Sequence, residues 1–361
     1  MEVTVIMFGV EKRFPLTISR GTTAKTTNLW VRLEQEGIEG WGEAVPFSIG
    51  GGNQQDTEGL QKQIQGIMPI LKPFKPTARS SIQAKLKAAN ISSAIRSAID
   101  VACYDWLGKR AKLPLWEIFG FDISQTVPIS VTVGISSPEE GKKRLENWQT
   151  ITTTNRIKVK LGSPDGLEAD QKLFQALHQN SPNAEFTIDA NGGWTLDEAI
   201  TMSHWLADYN VVYLEQPLPP QADENLPTLV KNSPLPIFAD ESCFTSEDIP
   251  RLAALNVHGI NIKLMKAGSL TEVLRMAYTA QSCGLKVMYG CYSDSSLGNT
   301  AMAHLSPLAD YLDLDSHLNL KDDPFRGAVL NNGYLQPNSS PGLGVTYHAI
   351  NDRTSGSDFT P

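Results

Sequence analysis

Single charged residues close a series of short apolar runs between Arg156 and Lys263. They are Lys158 and Lys160 in Arg-Ile-Lys-Val-Lys-Leu-Gly, Asp189 in Phe-Thr-Ile-Asp-Ala-Asn, Glu215 in Val-Val-Tyr-Leu-Glu-Gln-Pro, Asp240 in Ile-Phe-Ala-Asp-Glu-Ser, and Lys263 in Gly-Ile-Asn-Ile-Lys-Leu. Asp189, Glu215 and Asp240 form an oxygen-only donor set of the kind that suits a hard cation such as Mg²⁺. Lysines on either side of such a cation can move protons near neutral pH if it lowers their pKa. One charge at a strand end is commonly just the first solvated residue of a loop. Five such ends in succession point to a site.

The runs themselves have the length and apolar character of buried parallel strands, and the segments between them are long enough for crossover helices. The expected strands are Ile129 to Val133, Ile157 to Leu161, Glu185 to Ala190, Val211 to Glu215, Ile237 to Asp240, Gly259 to Lys263, Lys286 to Gly290 and Tyr311 to Asp315. Helices fit between them at Pro138 to Trp148, Gly166 to Asn180, Leu196 to Ala207, Glu224 to Lys231, Ser246 to Leu255, Ser269 to Cys283 and Leu297 to Leu308. This rhythm predicts an α/β fold, a (β/α)7β-type TIM barrel over residues 126–320, whose strand C-termini bring the charged residues to one mouth.

Residues 1–125 read differently. Val3 to Val10 and Thr27 to Glu34 are strand-like, a glycine-punctuated hairpin spans Glu36 to Ala44, and helices follow at Asp56 to Leu71, Ser80 to Ala88 and Ser92 to Arg110. Strands first and helices after is an α+β pattern, expected to cap the barrel mouth. Its mobile parts are expected at Gly50 to Asn53 and at the loop from Ser19 to Lys25, where Arg20 is a candidate substrate contact. Residues 321–361 are rich in Gly, Pro, Asn and Ser, with strand-like pieces at Gly327 to Leu330 and Gly344 to His348. They are expected to return to the capping domain and complete it, with the chain fraying from Asp352 onward.

A chain of 361 residues with 41% hydrophobic and 19% charged residues is an ordinary globular composition, large enough for a barrel and a smaller domain. The formal net charge of −8 argues against a nucleic-acid partner or an anionic membrane surface. No apolar run approaches a membrane span, and Met-Glu-Val-Thr at the start lacks the basic and apolar regions of a signal peptide, so the expectation is a cytoplasmic protein. The four cysteines, Cys103, Cys243, Cys283 and Cys291, show neither disulfide nor metal-finger spacing and read as reduced thiols.

Almost the whole chain resembles the muconate-lactonising subgroup of the enolase superfamily. The resemblance is carried by Gly40-Trp-Gly-Glu-Ala44, Ala98-Ile-Asp-Val-Ala102 with Tyr104-Asp105, Lys158-Val-Lys160, Asp189-Ala-Asn191, Glu215-Gln-Pro217, Ala239-Asp-Glu-Ser242 and Ile262-Lys263. Superfamily members use a Lys or His base with Mg²⁺ to stabilise an ene-diolate. Within the subgroup the chain is most similar to the dipeptide epimerases, through Asp313-Leu-Asp315 on the eighth strand. The resemblance implies Mg²⁺ on Asp189, Glu215 and Asp240, and Lys160 and Lys263 on opposite faces of the substrate α-carbon. It also implies Lys158 as positive charge beside the carboxylate, and Asp313 and Asp315 around the dipeptide ammonium. Thr132 resembles a substrate-contacting threonine, and Ser295 in the loop after the seventh strand is a candidate contact. Relatives often form homo-oligomers, though no interface is legible in the sequence.

The chain departs from the family pattern at Cys291-Tyr-Ser-Asp-Ser295, where many members carry Met or Glu, and at Ser316-His317, where Gly-Pro is common. Both lie at the pocket rim and bear on which dipeptide is accepted. An N-acylamino acid racemase, an o-succinylbenzoate synthase or a muconate cycloisomerase stays open on the same residues. A barrel that only binds metal and ligand is the reading from another class, and the lysine pair argues against it.

Overall fold

The structure is a computed structural model and describes residues 1–48 and 54–348. Gly50 to Asn53 and the segment from Asp352 onward, both named above for mobility, lie outside the described residues.

Eight parallel strands follow one another in strict chain order: Val131–Val133, Arg156–Lys160, Glu185–Asp189, Val211–Glu215, Ile237–Ala239, Gly259–Lys263, Lys286–Gly290 and Tyr311–Asp313. A parallel bridge between Ile129 and Leu312, with Ser130 N donating to Leu312 O at 2.8 Å, joins the last strand to the first and closes the barrel. Successive Cβ atoms of a strand alternate faces, so Lys158 and Lys160 both point inward and Val159 outward. The ladder then sets the height of the inward residues. Lys160 pairs with Asp189 and Asp189 with Glu215, which places an ammonium and two carboxylates side by side at one level. The connecting helices start where local chemistry demands it. Ser137 with Glu140 and Thr195 with Glu198 form capping boxes that satisfy otherwise orphaned backbone N–H groups of the helices Pro138–Ile151 and Leu196–Leu206.

Three antiparallel strands, Glu2–Ile18, Gly21–Gln35 and Ile38–Ala44, form the capping sheet, with helices Thr57–Leu71, Arg79–Ala88 and Ser93–Ala111 beside it. The second turn is the two residues Glu36 and Gly37, both at positive φ (57° and 71°), the conformation whose twist suits a two-residue hairpin. The third strand packs on the helix Ser93–Ala111 by backbone contact. A Cβ on Gly42 would lie 1.9 Å from Ala98 O, and one on Gly40 would lie 2.0 Å from Ala102 O. The Gly-Trp-Gly spacing therefore records how closely the helix approaches the sheet.

The first hairpin is longer than the sequence suggests. The stretch from Ser19 to Lys25, expected as a loop, is a two-residue turn at Ser19 and Arg20 with strand on both sides. Thr22, Thr23 and Thr26 are β-branched and extend the ladder, which periodicity alone does not reveal in a polar run. The hairpin lies against the barrel, Ile135 N donating to Thr17 O at 2.9 Å. A shift in its register between Glu11 and Leu16 is met by the segment after the eighth barrel strand, where Asn319 accepts from Phe14 N and donates to Phe14 O.

Two expected helices are shorter. Ser246 to Leu255 reduces to Ile249–Ala254, because Asp248 caps the loop N–H groups of Phe244 and Thr245 instead. Leu297 to Leu308 ends at Ala303, and a separate 3₁₀ turn follows at Ser306–Leu308 around Pro307. In the C-terminal segment Phe325 and Tyr347 pack against Phe8, Trp30 and Trp41 of the capping sheet. A hairpin, Val329–Asn331 with Tyr334–Gln336, lies at the start of the first barrel strand, where Ile129 N donates to Gly333 O. Among the described residues no helix is long and apolar enough to cross a membrane.

The close approach at Gly42 predicts that Gly42→Ala lowers stability by about 1 to 3 kcal/mol, since the new methyl meets main chain that cannot move aside. Gly9→Ala, where the space is open, should change stability little. Denaturant midpoints of the two variants check this, and a wild-type midpoint for Gly42→Ala would refute the packing argument.

Candidate active site

The mouth of the barrel holds buried charges of both signs. Asp189, Glu215 and Asp240 are each at most 1% exposed, and one oxygen from each lies within 4.8 Å of the others. Lys158, fully buried, places its Nζ 2.7 Å from Glu215 Oε2, 2.7 Å from Asp313 Oδ2 and 3.1 Å from Asp189 Oδ2. Lys160 donates to Asp189 at 2.5 Å. Across the barrel Lys263 donates to Asp240 Oδ2 at 2.7 Å, and its ammonium lies 4.7 Å from the Tyr292 ring centre.

Three residues without a role in the sequence reading complete this network. Lys266, on a one-turn helix after the sixth strand, donates to Asp240 Oδ1 and to the main-chain oxygens of Asp240 and Asn261. Asn261, two residues before Lys263 and so on the same inward face, donates to Glu215 Oε1 at 2.7 Å. Gln216, at φ 39°, turns its amide oxygen to the backbone N–H groups of Asp240 and Ser242. Period-2 spacing from Lys263 marks Asn261. No such signal marks Lys266 or Gln216, whose contacts arise from tertiary packing.

Four ammoniums, Lys158, Lys160, Lys263 and Lys266, thus face four carboxylates, Asp189, Glu215, Asp240 and Asp313. Burial disfavours charge on every one of them. For Lys158 the neighbouring Asp313, Glu215 and Asp189 outweigh burial and hold its pKa well above the usual value. For Lys263 burial is likewise outweighed, chiefly by Asp240. Asp189 and Asp240 are held below the usual carboxylate range against their burial, by Lys160 and Lys158 in one case and by Lys263 and Lys266 in the other. Glu215 goes the other way. Burial and the charge of Asp189 raise it to about 8, despite a Lys158 ammonium whose charge is shared among three carboxylates. Lys158 meets Glu215 Oε2 at an angle that leaves this buried oxygen without a hydrogen bond. A buried carboxylate oxygen that no well-angled hydrogen bond satisfies, next to two more carboxylates, fits a hard divalent cation: Asp189, Glu215 and Asp240 supply the oxygens such an ion requires.

Two adjoining cavities, which share part of their lining, open from this centre. The first, about 370 Å³, is lined by Phe14, Leu16, Ile135 and Trp148 and reaches Lys160, Thr132, Asp313 and Asp315. The second, about 770 Å³, lies under the hairpin turn and reaches Lys160, Lys263, Asn191 and Tyr292. Asp313 and Asp315 are buried together. Asp313 is held below the usual range against burial, chiefly by Lys158, whereas burial and the charge of Asp313 raise Asp315 to about 6.

The other expected contacts have protein partners. Thr132 donates its hydroxyl to Asp313 Oδ1 at 3.1 Å and its backbone N–H to Asp315 Oδ2 at 2.7 Å, so it orients the aspartate pair while lining the first cavity. Arg20 donates to Asn191 O at 2.6 Å and to Glu241 Oε1 at 2.7 Å, and Ser19 Oγ donates to Asn191 O at 2.9 Å. The turn expected to be mobile is thereby fastened across the mouth, with Arg20 on the wall of the second cavity. Ser295 is fully buried away from both cavities. Its hydroxyl donates to Glu43 at 2.7 Å and its side chain caps the helix Ser296–Ala303, which removes it from the pocket rim.

Residues 142–350 match the enolase C-terminal domain-like family, and residues 1–120 match the N-terminal domain of mandelate racemase / muconate lactonizing enzyme. A closed parallel barrel with a carboxylate triad and an α+β cap defines the class, and this chain belongs to the mandelate racemase / muconate lactonizing enzyme family of the enolase superfamily. It is 41% identical to a hydrophobic dipeptide epimerase of Flavobacteria bacterium (strain MS024-2A), over 96% of this chain and 98% of that protein. It is 33% identical to the L-Ala-D/L-Glu epimerase of Escherichia coli (strain K12), over 83% and 88% of the two chains. Among solved structures, the dipeptide epimerase of Enterococcus faecalis V583 complexed with Mg and L-Leu-L-Tyr superposes with a TM-score of 0.88 at 29% identity, covering 96% of this chain and 99% of that one.

The raised pKa of Glu215 sets the sign of a metal-binding test. A group with a pKa of about 8 is protonated at pH 7, so a cation must displace that proton. Binding should release protons at neutral pH and weaken as the pH falls below about 8. Mg²⁺ at about a hundred times its Kd should stabilise the fold by about 2.7 kcal/mol, and Glu215→Gln should abolish that shift. Calorimetry in two buffers of different ionisation enthalpy, with melting curves, checks both. Mg²⁺ binding without proton release would contradict the assignment.

Proposed function

We propose that this chain is a Mg²⁺-dependent dipeptide epimerase that inverts the α-carbon of the C-terminal residue. The observation that carries the proposal is the placement of Lys160 and Lys263. They rise from the second and sixth strands on opposite sides of one carboxylate triad, and Asp313 and Asp315 line a cavity that adjoins it. The names of the similar proteins support the same reaction.

An α-proton beside a carboxylate is hard to remove because the product enediolate carries two negative charges. Mg²⁺ held by Asp189, Glu215 and Asp240 would supply positive charge to the substrate carboxylate. The protein's own groups do the rest. Lys158, held protonated by its carboxylate neighbours, adds a fixed positive charge at the same end. One of Lys160 and Lys263, in its neutral form, accepts the proton as the C–H bond breaks, and the electron pair passes into the carboxylate. The other, as an ammonium, delivers a proton to the opposite face of the carbon. The configuration is inverted, and the two lysines exchange protonation states.

Asp313 and Asp315 give the site its preference for a free amino terminus. Asp313 already faces Lys158, so Asp315, with no cation within ion-pairing distance among the described residues, is the principal partner for a substrate ammonium. An N-acyl group brings no cation to this place and would leave a buried carboxylate unmatched, which disfavours the N-acylamino acid racemase reading. A cytoplasmic location belongs to the same proposal and fits the four free thiols.

Incubation with Mg²⁺, D₂O and a set of dipeptides should label the α-carbon of the C-terminal residue in free dipeptides. N-acetylation should lower kcat/KM about 30-fold or more, the scale of a charge-assisted contact worth about 2 kcal/mol or above. Asp313→Asn/Asp315→Asn should lower it comparably, and the two changes together should fall short of additivity because they remove one contact. Circular dichroism confirms that the variant is folded. Equal turnover of free and N-acetylated dipeptides by the wild type would overturn the ammonium site and favour an N-acylamino acid racemase.

A further inference from the structure

The first strand of the cap carries a buried cation that none of the roles above uses. Lys12 is 5% exposed and lines both cavities. Among the described residues no carboxylate lies within ion-pairing distance of its ammonium. Asp315, Asp294 and Cys291 act on it only at longer range, and burial lowers its pKa. Arg144, another buried cation beside the first cavity, lies between the rings of Phe14 and Trp148 at 4.3 and 4.0 Å, while Lys12 has no such aromatic cover. A buried ammonium with neither counter-ion nor ring is costly unless a ligand completes its hydrogen bonds.

The place of Lys12 says what that ligand group is. Among the described residues only Lys12, Leu16, Lys160, Cys291 and Tyr292 line both cavities and so mark their junction. The inference rests on the dipeptide-epimerase reading. With the substrate ammonium at Asp313 and Asp315 in the first cavity, and the inverted carbon between Lys160 and Lys263 toward the second, the one amide bond of a dipeptide runs through this junction. Of the five residues there, Lys160 is engaged with Asp189 and Leu16 has no polar side-chain group. Cys291 donates to Asp313 O, and Tyr292 lies against the Lys263 ammonium. We propose that Lys12 donates a hydrogen bond to the peptide carbonyl oxygen of the bound dipeptide, making the capping domain a reader of the peptide bond itself.

This contact fixes the distance between the ammonium and the reacting carbon. It orients the α C–H bond toward the lysines and selects an amide over substrates that present only two charged ends. It also ties substrate binding to closure of the cap, because Lys12 belongs to the strand whose register shift is held by Asn319 and the bridge to Leu320.

The test compares wild type with Lys12→Met, which matches the shape and removes a charge whose burial is unfavourable, so the variant should melt no lower than the wild type. Lys321→Met, on the exposed surface, is the control for loss of one positive charge. Two ligands are titrated calorimetrically into the Mg²⁺-loaded proteins: a dipeptide, and an isostere whose amide is replaced by a trans carbon–carbon double bond. The isostere keeps both charged ends and the shape but has no carbonyl oxygen. Wild type and Lys321→Met should bind the dipeptide about 10- to 100-fold more tightly than the isostere, the scale of a hydrogen bond from a charged donor. Lys12→Met should bind the two alike, with kcat/KM for dipeptides lowered by a similar factor. A Lys12→Met protein that keeps the full preference for the amide would overturn the proposal. So would one that loses affinity only for dipeptides with an acidic side chain, which would assign Lys12 to side-chain recognition. A wild type that labels no dipeptide in D₂O would overturn the epimerase reading and this inference with it. Labelling of dipeptides together with an unaltered Lys12→Met would overturn this inference alone.

Discussion

Buried charge must be balanced, and at the mouth of this barrel the balance is made by lysines and carboxylates on neighbouring strands. Lys160 is registered beside Asp189 and Asp189 beside Glu215, while Lys263 and Lys266 meet on Asp240. With all eight groups charged, the four ammoniums cancel the four carboxylates. A divalent cation then leaves an excess of positive charge at the place where a carboxylate substrate becomes a dianion. The same lattice that makes these residues tolerable in the interior therefore makes the site complementary to the enediolate. Removing one member strands a partner, so substitutions here affect stability and turnover together.

The cap depends on this centre and protects it. Its first hairpin is fastened by Ser19 and Arg20 to Asn191 and Glu241, each adjacent to a proposed metal ligand or two residues from one. Near its middle it lies on Gly134, where a Cβ would come within 3.0 Å of Thr17 main-chain atoms, and it is held by Asn319 at Phe14. These contacts link the loops after the first, third, fifth and eighth strands. A cover joined to so many strand ends narrows the approach to Lys160 and Lys263, and the buried ammonium–carboxylate contacts beneath it gain strength from the low dielectric.

Much of the barrel was legible in the sequence because buried parallel strands read as apolar runs, and a charge in such a run has few harmless explanations. Lys158-Val-Lys160 shows two lysines on one inward face, and the same spacing could have exposed Asn261 ahead of Lys263. Other features depend on partners distant in the chain. Lys12 lies in Glu11-Lys12-Arg13, which reads as a solvated polar run, and only the packing of Cys291 and Leu320 around it makes it a buried cation. Ser295 looked like a rim residue because it follows the seventh strand. Its hydroxyl is instead taken by Glu43, from the Gly-Trp-Gly-Glu run of the cap. Arg20 was singled out as a candidate substrate contact, and its partnership with Glu241 depends on a hairpin that no local pattern defines. Lys266 lies on a one-turn helix too short to show periodicity.

If Lys160 and Lys263 each serve one face of the α-carbon, the proton removed and the proton delivered belong to different groups. Starting from pure L-L or pure L-D dipeptide in D₂O with Mg²⁺, mass spectrometry of the first product formed should find solvent deuterium at the α-carbon of essentially every inverted molecule, from either direction. Lys160→Ala and Lys263→Ala should form no inverted product, while each exchanges the α-proton of one epimer only, and of opposite epimers. Inverted product that keeps the substrate's own proton in early turnover, or inversion by either variant, would contradict a centre built from two opposed lysines.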